Sequence, residues 1–170
     1  MSAFSKGGNT EVVMKPGSMA GALLSALFLI SALSGGLDGQ ASAKKVRVNA
    51  SATKPDDAGN QVITVNVKID PGWYIYANPV DHNKETLNRN KTTLSVSPKV
   101  KLDAVKIDYP AGTLKKEDKD EYKIYEGSVT IRAAIRRAKG DTGPLEWNLE
   151  VNACNSNVCL PKGVVTFTVP

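Results

Sequence analysis

Apolar and polar residues alternate along most of the chain after residue 44. The clearest runs are 62-VITVNVKID-70, 129-VTIRAAI-135 and 145-LEWNLEVNA-153. A period of two places successive side chains on opposite faces of a β-sheet, so each run predicts a strand with one apolar face and one polar face. In the last run the apolar positions are predicted to face the core, and the polar ones, up to Asn152, to face water.

Weaker runs of the same kind are separated by short turn motifs. The weaker runs are 45–50, 93–97, 100–109 and 164–169, and the Pro, Gly and Asp turn motifs lie at 55–60, 70–72, 110–112, 139–143 and 161–163. Several short strands at this spacing predict an all-β fold, an antiparallel β-sandwich of the immunoglobulin-like kind. A small β-barrel is the alternative.

Two segments lack the alternation of a strand. The segment 73–83 places three aromatic residues within four positions, and the segment 113–121 is so rich in charge that it is predicted to be a solvated surface loop. Trp73 and Trp147 are predicted to lie in the core. His82 is assigned no role, because the sequence offers it no evident partner.

Residues 1–43 have the character of a secretory signal peptide. An uncharged apolar run at 20–33 is followed by a Gly-rich stretch and by 41-ASA-43, which predicts cleavage after Ala43. An uncleaved membrane anchor is the alternative, although fourteen residues are few for crossing a bilayer. The predicted mature domain is therefore 44–170, and its location is periplasmic or secreted.

The composition excludes several classes of function. The net charge is +5, from 22 basic and 17 acidic residues, but the lysines are scattered among acids and form no basic block, so nucleic-acid binding is not predicted. Two cysteines and a single histidine do not supply a four-ligand zinc site without carboxylates. We therefore expect neither a metal nor another cofactor.

Both cysteines, Cys154 and Cys159, lie in one short loop between two predicted strands. Because opposed residues of a hairpin are close, the pair is able to form a disulfide in an oxidising compartment. Closing so short a loop stabilises a fold by only about 2 kcal/mol. A bridge in a surface hairpin is also easy for a partner thiolate to reach, which favours exchange. A structural staple and a redox-active pair both remain open on these grounds.

The cysteine segment 153-ACNSNVCLPKGVVTFTVP-170 resembles the end of the N-terminal periplasmic domain of DsbD, the thiol:disulfide interchange protein, and the related stand-alone disulfide bond corrector domains. Two further segments support the resemblance: 72-GWYIYANP-79 and 124-IYEGSVTIRAAI-135. The spacing of the cysteines is one residue shorter than in the best-known family member. The resemblance covers roughly residues 45–170.

The resemblance implies an immunoglobulin-like fold and a thiol:disulfide oxidoreductase activity in which Cys154 and Cys159 relay electrons. The implied partners are thioredoxin-like periplasmic proteins and a membrane electron transporter. Further residues are expected to surround the pair, and these are Tyr74, Tyr76, Tyr122, Pro161 and Lys162.

Two of these neighbours stand where the sequence departs from the family pattern. Lys162 occupies the place of a second proline. The favoured interpretation is an ordinary exposed turn lysine, and the alternative is an ammonium group close enough to the sulfurs to favour a thiolate. The segment 113–121 occupies the place of a cap loop but brings no aromatic residue, so that Tyr122 is the nearest aromatic candidate. A binding module whose disulfide only holds a hairpin is the alternative function.

Overall fold

The computed structural model describes residues 40–117 and 119–170. The predicted signal peptide therefore lies outside the described residues except for positions 40–43, and its cleavage site stays a prediction. Within the described residues, no helix is both long enough and apolar enough to cross a membrane.

The described residues form eleven β-strands and two very short helical segments. The strands are β1 (Val46–Ala52), β2 (Asn60–Ile69), β3 (Tyr74–Tyr76), β4 (Thr93–Val96), β5 (Ala104–Asp108), β6 (Thr113–Glu117), β7 (Asp120–Glu126), β8 (Ser128–Arg136), β9 (Leu145–Val151), β10 (Ala153–Cys154) and β11 (Gly163–Val169). The helical segments are a 3₁₀ turn at Ser42–Lys45 and α1 at Glu85–Asn88.

The strands pair in three antiparallel sheets. The first has the order β1-β2-β8-β5, the second β10-β3-β7-β6 and the third β11-β9-β4. All of their pairings are antiparallel. The first sheet forms one layer, and its apolar face packs against residues of the other two sheets in a shared core.

The core follows the alternation of the sequence. In β2, β8 and β9 the odd-numbered residues from Ile63 to Ile69, from Val129 to Ile135 and from Leu145 to Val151 are all buried, whereas their even-numbered neighbours are exposed or half-buried. Trp147 is fully buried, as predicted, but Trp73 is only half-buried at the edge of the core, with Lys45 Nζ 4.5 Å from its ring centroid. The prediction of an all-β, immunoglobulin-like antiparallel sandwich is confirmed.

The prediction that 113–121 is a loop is wrong. Residues Thr113–Glu117 form β6, which pairs with β7 as a hairpin whose turn lies between Glu117 and Asp120. The pairing uses main-chain hydrogen bonds, so it needs no apolar side chains on β6. Charged residues are also common on edge strands, where they prevent further pairing. We refer to β6, the turn and the first residues of β7 (113–122) as the cap hairpin.

The predicted hairpin of β9 and β11 is present, but the cysteines do not continue it. β9 ends at Val151, and the chain then changes sheets, so that Ala153 and Cys154 pair with Ile75 and Tyr74 of β3. This crossing brings the first cysteine beside the aromatic strand β3.

Candidate functional site

Cys154 and Cys159 are joined in a disulfide. Their Cα atoms are 4.0 Å apart, and the two residues form an isolated antiparallel bridge. The two sulfur-bearing residues differ sharply in exposure, because Cys154 is fully buried while Cys159 is exposed. A molecule approaching from solvent therefore reaches Cys159 first.

The turn between the cysteines is held by the side chain of Asn155. Its Oδ1 accepts hydrogen bonds from the backbone N–H groups of Asn157, at 2.8 Å, and Val158, at 2.9 Å. Asparagine forms such local bonds readily and so favours turns. The result is a loop with a defined shape that presents Cys159 on its outer side.

The hydroxyl group of Tyr76 lies beside the disulfide, almost equally far from the two sulfur atoms. Its oxygen is 3.9 Å from Cys154 Sγ and 4.0 Å from Cys159 Sγ. Sulfur in a disulfide carries no proton, so the phenol is the donor in any hydrogen bond between these groups. Burial, together with the nearby Tyr74 and Glu117, raises the pKa of Tyr76 to about 12. The hydroxyl therefore keeps its proton at neutral pH.

Three tyrosines form a cluster beside the disulfide: Tyr74, Tyr76 and Tyr122. The Tyr76 and Tyr122 ring centroids are 5.5 Å apart, and the hydroxyl oxygens of Tyr74 and Tyr122 are 3.2 Å apart. All three tyrosines pack with Cys154 in a small cluster of buried residues separate from the main core. The prediction that Tyr74 and Tyr76 face the same side agrees with this arrangement, while Ile75 between them points into the main core.

The cap hairpin contacts this tyrosine cluster. Tyr122 donates a hydrogen bond to the Glu117 carboxylate, and Lys115 Nζ lies 4.8 Å from the Tyr74 ring centroid. Burial raises the pKa of the Tyr122 phenol, and its bond to Glu117 raises it further. Lys115 contacts the Tyr74 ring, and Glu117 accepts the hydrogen bond of the Tyr122 hydroxyl. In these contacts the two charged residues touch the tyrosine cluster and not the sulfur atoms.

Pro161 and Lys162 differ in what they contribute. Pro161 is exposed, and its carbonyl oxygen accepts a 2.6 Å hydrogen bond from the hydroxyl of Ser42. Lys162 Nζ forms an ion pair with Glu150 Oε1 at 2.5 Å. That carboxylate neutralises the charge that was considered as an activator of the thiols, so the structure favours an ordinary surface role for Lys162.

Asn152 was missed as a site residue, and its predicted exposure is wrong. It is buried; its Nδ2 donates to the Leu160 carbonyl at 2.6 Å, and its Oδ1 is 3.9 Å from Cys154 Sγ. The change of sheet after Val151 turns this position inward. No local pattern in the sequence marks such a change.

The prediction that His82 has no partner is wrong, because its ring nitrogens contact Lys84 and Asp120. Its Nδ1 accepts a hydrogen bond from the Lys84 N–H at 2.8 Å, and its Nε2 lies 3.5 Å from Asp120 Oδ1 at the tip of the cap hairpin. Lys84 also pairs with Asp120, at 2.5 Å, and this bond is the main cause of the lowered pKa of the Asp120 carboxyl. These contacts fasten the cap hairpin to the segment that follows β3. Within the described ranges 40–117 and 119–170, no cluster of three or more His, Cys, Asp or Glu residues is placed to hold a metal ion.

The family profile of the N-terminal domain of the thiol:disulfide interchange protein DsbD matches residues 42–170. The chain belongs to the DsbD N-terminal domain family. The match includes every strand described above and both cysteines. No curated protein sequence matches the chain.

Solved structures with a similar fold include members of this family. The N-terminal periplasmic domain of ScsB from Proteus mirabilis is 18% identical with a TM-score of 0.50; the match covers 72% of this chain and 43% of that one. The chain therefore spans less than half of the ScsB chain that it matches. The reduced DsbD N-terminal domain of Neisseria meningitidis is 19% identical with a TM-score of 0.44, covering 74% and 85%. A chain from the complex between the DsbD N-terminal and PilB N-terminal domains of Neisseria meningitidis is 17% identical with a TM-score of 0.47, covering 74% and 83%.

Proposed function

We propose that this domain is an exported thiol–disulfide exchange relay in which Cys154 and Cys159 carry electrons between thioredoxin-like partners. The observation that carries the proposal is the unequal exposure of the two cysteines within one short disulfide loop. A staple gains nothing from exposing one sulfur, whereas exchange requires a sulfur that an attacking thiolate can reach. Membership of the DsbD N-terminal domain family supports the same conclusion.

The exchange begins at Cys159. A thiolate of a reduced partner attacks Cys159 Sγ, the Cys154–Cys159 bond breaks, and Cys154 leaves as a thiolate that takes up a proton. The second thiol of the partner then attacks the partner's sulfur in the mixed disulfide and releases Cys159. Two electrons pass to this domain, whose cysteines become a dithiol, and the partner's dithiol becomes a disulfide. The same steps in reverse reduce the next partner.

Tyr76 assists the step in which Cys154 leaves. A thiolate released in a buried site is unfavourable unless a hydrogen-bond donor lies close by. The Tyr76 hydroxyl oxygen is 3.9 Å from Cys154 Sγ and stays protonated because the pKa of the phenol is raised to about 12. A small movement of the sulfur on bond cleavage brings the two groups into hydrogen-bonding distance.

The Tyr76→Phe variant is expected to exchange with a reduced thioredoxin-fold donor about tenfold more slowly. A hydrogen bond to a charged group contributes roughly 1.5–3 kcal/mol, and a long contact belongs at the lower end of this range. Because the phenol loses its proton only near pH 12, the ratio of the two rates should stay constant across neutral and mildly alkaline pH. Stopped-flow measurement of the second-order rate constant checks both statements.

Tyr74→Phe is the matched control for this experiment. The Tyr74 hydroxyl is directed at Tyr122, so its removal should change the exchange rate less than about twofold. If both variants slow the reaction equally, the tyrosine cluster acts through packing alone, and the role proposed for Tyr76 is wrong.

The partners that suit this site carry a dithiol on an accessible surface, as thioredoxin-like proteins do. Val158, directly before Cys159, is exposed and offers an apolar contact beside the reactive sulfur. A membrane electron transporter is the proposed source of reducing equivalents. The signal-peptide pattern in residues 1–43 and the description of the similar ScsB domain as periplasmic support an extracytoplasmic location.

The proposal is tested by mixing the oxidised protein with a stoichiometric amount of a reduced thioredoxin-fold protein. The free thiols are then alkylated and each chain is weighed by mass spectrometry. We expect both cysteines of this domain to become alkylated as the donor loses its thiols. If the disulfide persists while the domain stays folded, the bridge is a structural staple and the protein is a binding module.

A further inference from the structure

The segment 40–45, here called the strap, packs against the two ends of the cysteine loop. Within it, Ser42 is completely buried. The Ser42 hydroxyl donates to the Pro161 carbonyl at 2.6 Å and accepts from the Ala153 N–H at 2.9 Å. Ala153 immediately precedes Cys154, and Pro161 lies two positions after Cys159. One hydroxyl group therefore joins the two arms of the loop that carry the disulfide.

Further contacts hold the strap in this position. The Ser42 N–H also donates to the Pro161 carbonyl, at 3.3 Å, and Gln40 Oε1 accepts from the Val164 N–H at 3.1 Å. A Cβ atom placed on Gly163 would lie 2.4 Å from the backbone nitrogen of Ala43. The absence of a side chain at Gly163 is thus what allows the strap to approach the loop so closely.

We propose that Ser42 is a positioning residue of the redox pair and that the mature protein therefore retains it. Cleavage after Ala43, which the sequence pattern predicts, would remove the Ser42 hydroxyl and leave the buried Ala153 N–H without its partner. The signal peptide is instead cut before Ser42. The inference deepens the proposed relay and rests on it for its biological meaning, although both of its consequences are measurable without any partner protein.

The two hydrogen bonds of the Ser42 hydroxyl, here called the clamp, affect the formation of the disulfide. The equilibrium constant for closing a disulfide depends on how closely the two thiols of the reduced protein are held together. With Ser42 bonded to both arms, Cys154 and Cys159 stay side by side in the dithiol form. The Leu160 N–H also donates to the Ala153 carbonyl, at 2.9 Å, and Asn152 Nδ2 donates to the Leu160 carbonyl, so loss of the hydroxyl loosens the arms without separating them. The looser arms make the disulfide easier to reduce.

The first experiment is to express the full precursor in a bacterium that exports it and to measure the intact mass of the exported chain. We expect a mass that corresponds to a first residue at or before Ser42. A chain that begins after Ser42, at Ala43 or Lys44, would overturn the inference. An exported chain that is not cut would contradict the proposed cleavage before Ser42, and the role of Ser42 at the redox pair would then be decided by the second experiment.

The second experiment measures the equilibrium of the Cys154–Cys159 pair with glutathione in full-length variants. Ser42→Ala should lower the equilibrium constant for the disulfide about tenfold, which is the effect of losing one or two buried hydrogen bonds. Ser42→Thr keeps the hydroxyl and should restore most of the loss. Ser51→Ala, on the exposed side of β1, is the matched control and should leave the equilibrium constant unchanged.

An unchanged equilibrium in Ser42→Ala would show that the clamp has no bearing on the redox pair. This result is distinct from failure of the relay, which would appear as a wild-type disulfide that a thioredoxin-fold donor does not reduce.

Discussion

A variant that keeps only Cys159, Cys154→Ser, is expected to react with a disulfide reagent on the order of 100 times faster than Cys159→Ser, which keeps only Cys154. The reason is the difference in exposure of the two residues. Reaction at the buried sulfur requires local opening of the loop. If this opening costs roughly 2.7 kcal/mol, the reactive fraction falls about 100-fold.

The measurement uses a small aromatic disulfide that releases a coloured thiol, followed by a thioredoxin-fold protein lacking its second cysteine. The same pair of variants in concentrated denaturant is the control, because exposure is then equal and the rates should converge. Equal rates for the two folded variants would contradict the proposal that exchange begins at Cys159.

The second large effect is on stability. Trp147→Ala is expected to lower the free energy of unfolding by about 3–5 kcal/mol, the usual cost of truncating a fully buried aromatic side chain. Trp147 lies in the centre of its sheet, between Phe167 of β11 and Val96 of β4. Because single domains have only about 5–15 kcal/mol of stability, the variant should be close to unfolding at moderate temperature. Urea unfolding with the disulfide intact measures the change.

Two further substitutions serve as controls for Trp147→Ala. Among the residues that the structure describes, the indole Nε1 of Trp147 has no hydrogen-bond partner. Trp147→Phe therefore loses volume but no described bond and should cost roughly 1–2 kcal/mol. Trp73→Ala, at a half-buried position, should also lower the free energy of unfolding by only about 1–2 kcal/mol. A Trp73→Ala variant as unstable as Trp147→Ala would show that the core is not centred where the structure places it.

The strands of the sandwich were predictable because each strand presents only one of its two faces to the core. Because that face is buried, its residues are apolar, and apolar residues therefore occupy alternate positions in the runs at 62–70, 129–135 and 145–153. The common face of Tyr74 and Tyr76 followed from the same parity. The contact of Tyr76 with the sulfurs depends on the pairing of Cys154 with Tyr74, which joins residues far apart in the sequence.

Other features leave no local pattern in the sequence. β6 is held by main-chain pairing at a sheet edge, so its side chains are free to be charged and look like a loop. The burial of Asn152 and the contact of His82 with Asp120 arise where the chain changes sheet or meets a distant hairpin. The unequal exposure of Cys154 and Cys159 is of the same kind, since both occupy one polar loop.

The reduction potential of the Cys154–Cys159 pair tests the central claim most directly. It is measured by equilibrating the full-length protein with glutathione or with a thioredoxin-fold protein of known potential and counting the thiols that result. A relay exchanges electrons only if its reduction potential is close to the potentials of its partners. We therefore predict a value of roughly −270 to −120 mV, the range of thioredoxin-fold proteins. A value below about −300 mV, typical of structural disulfides, would contradict the account.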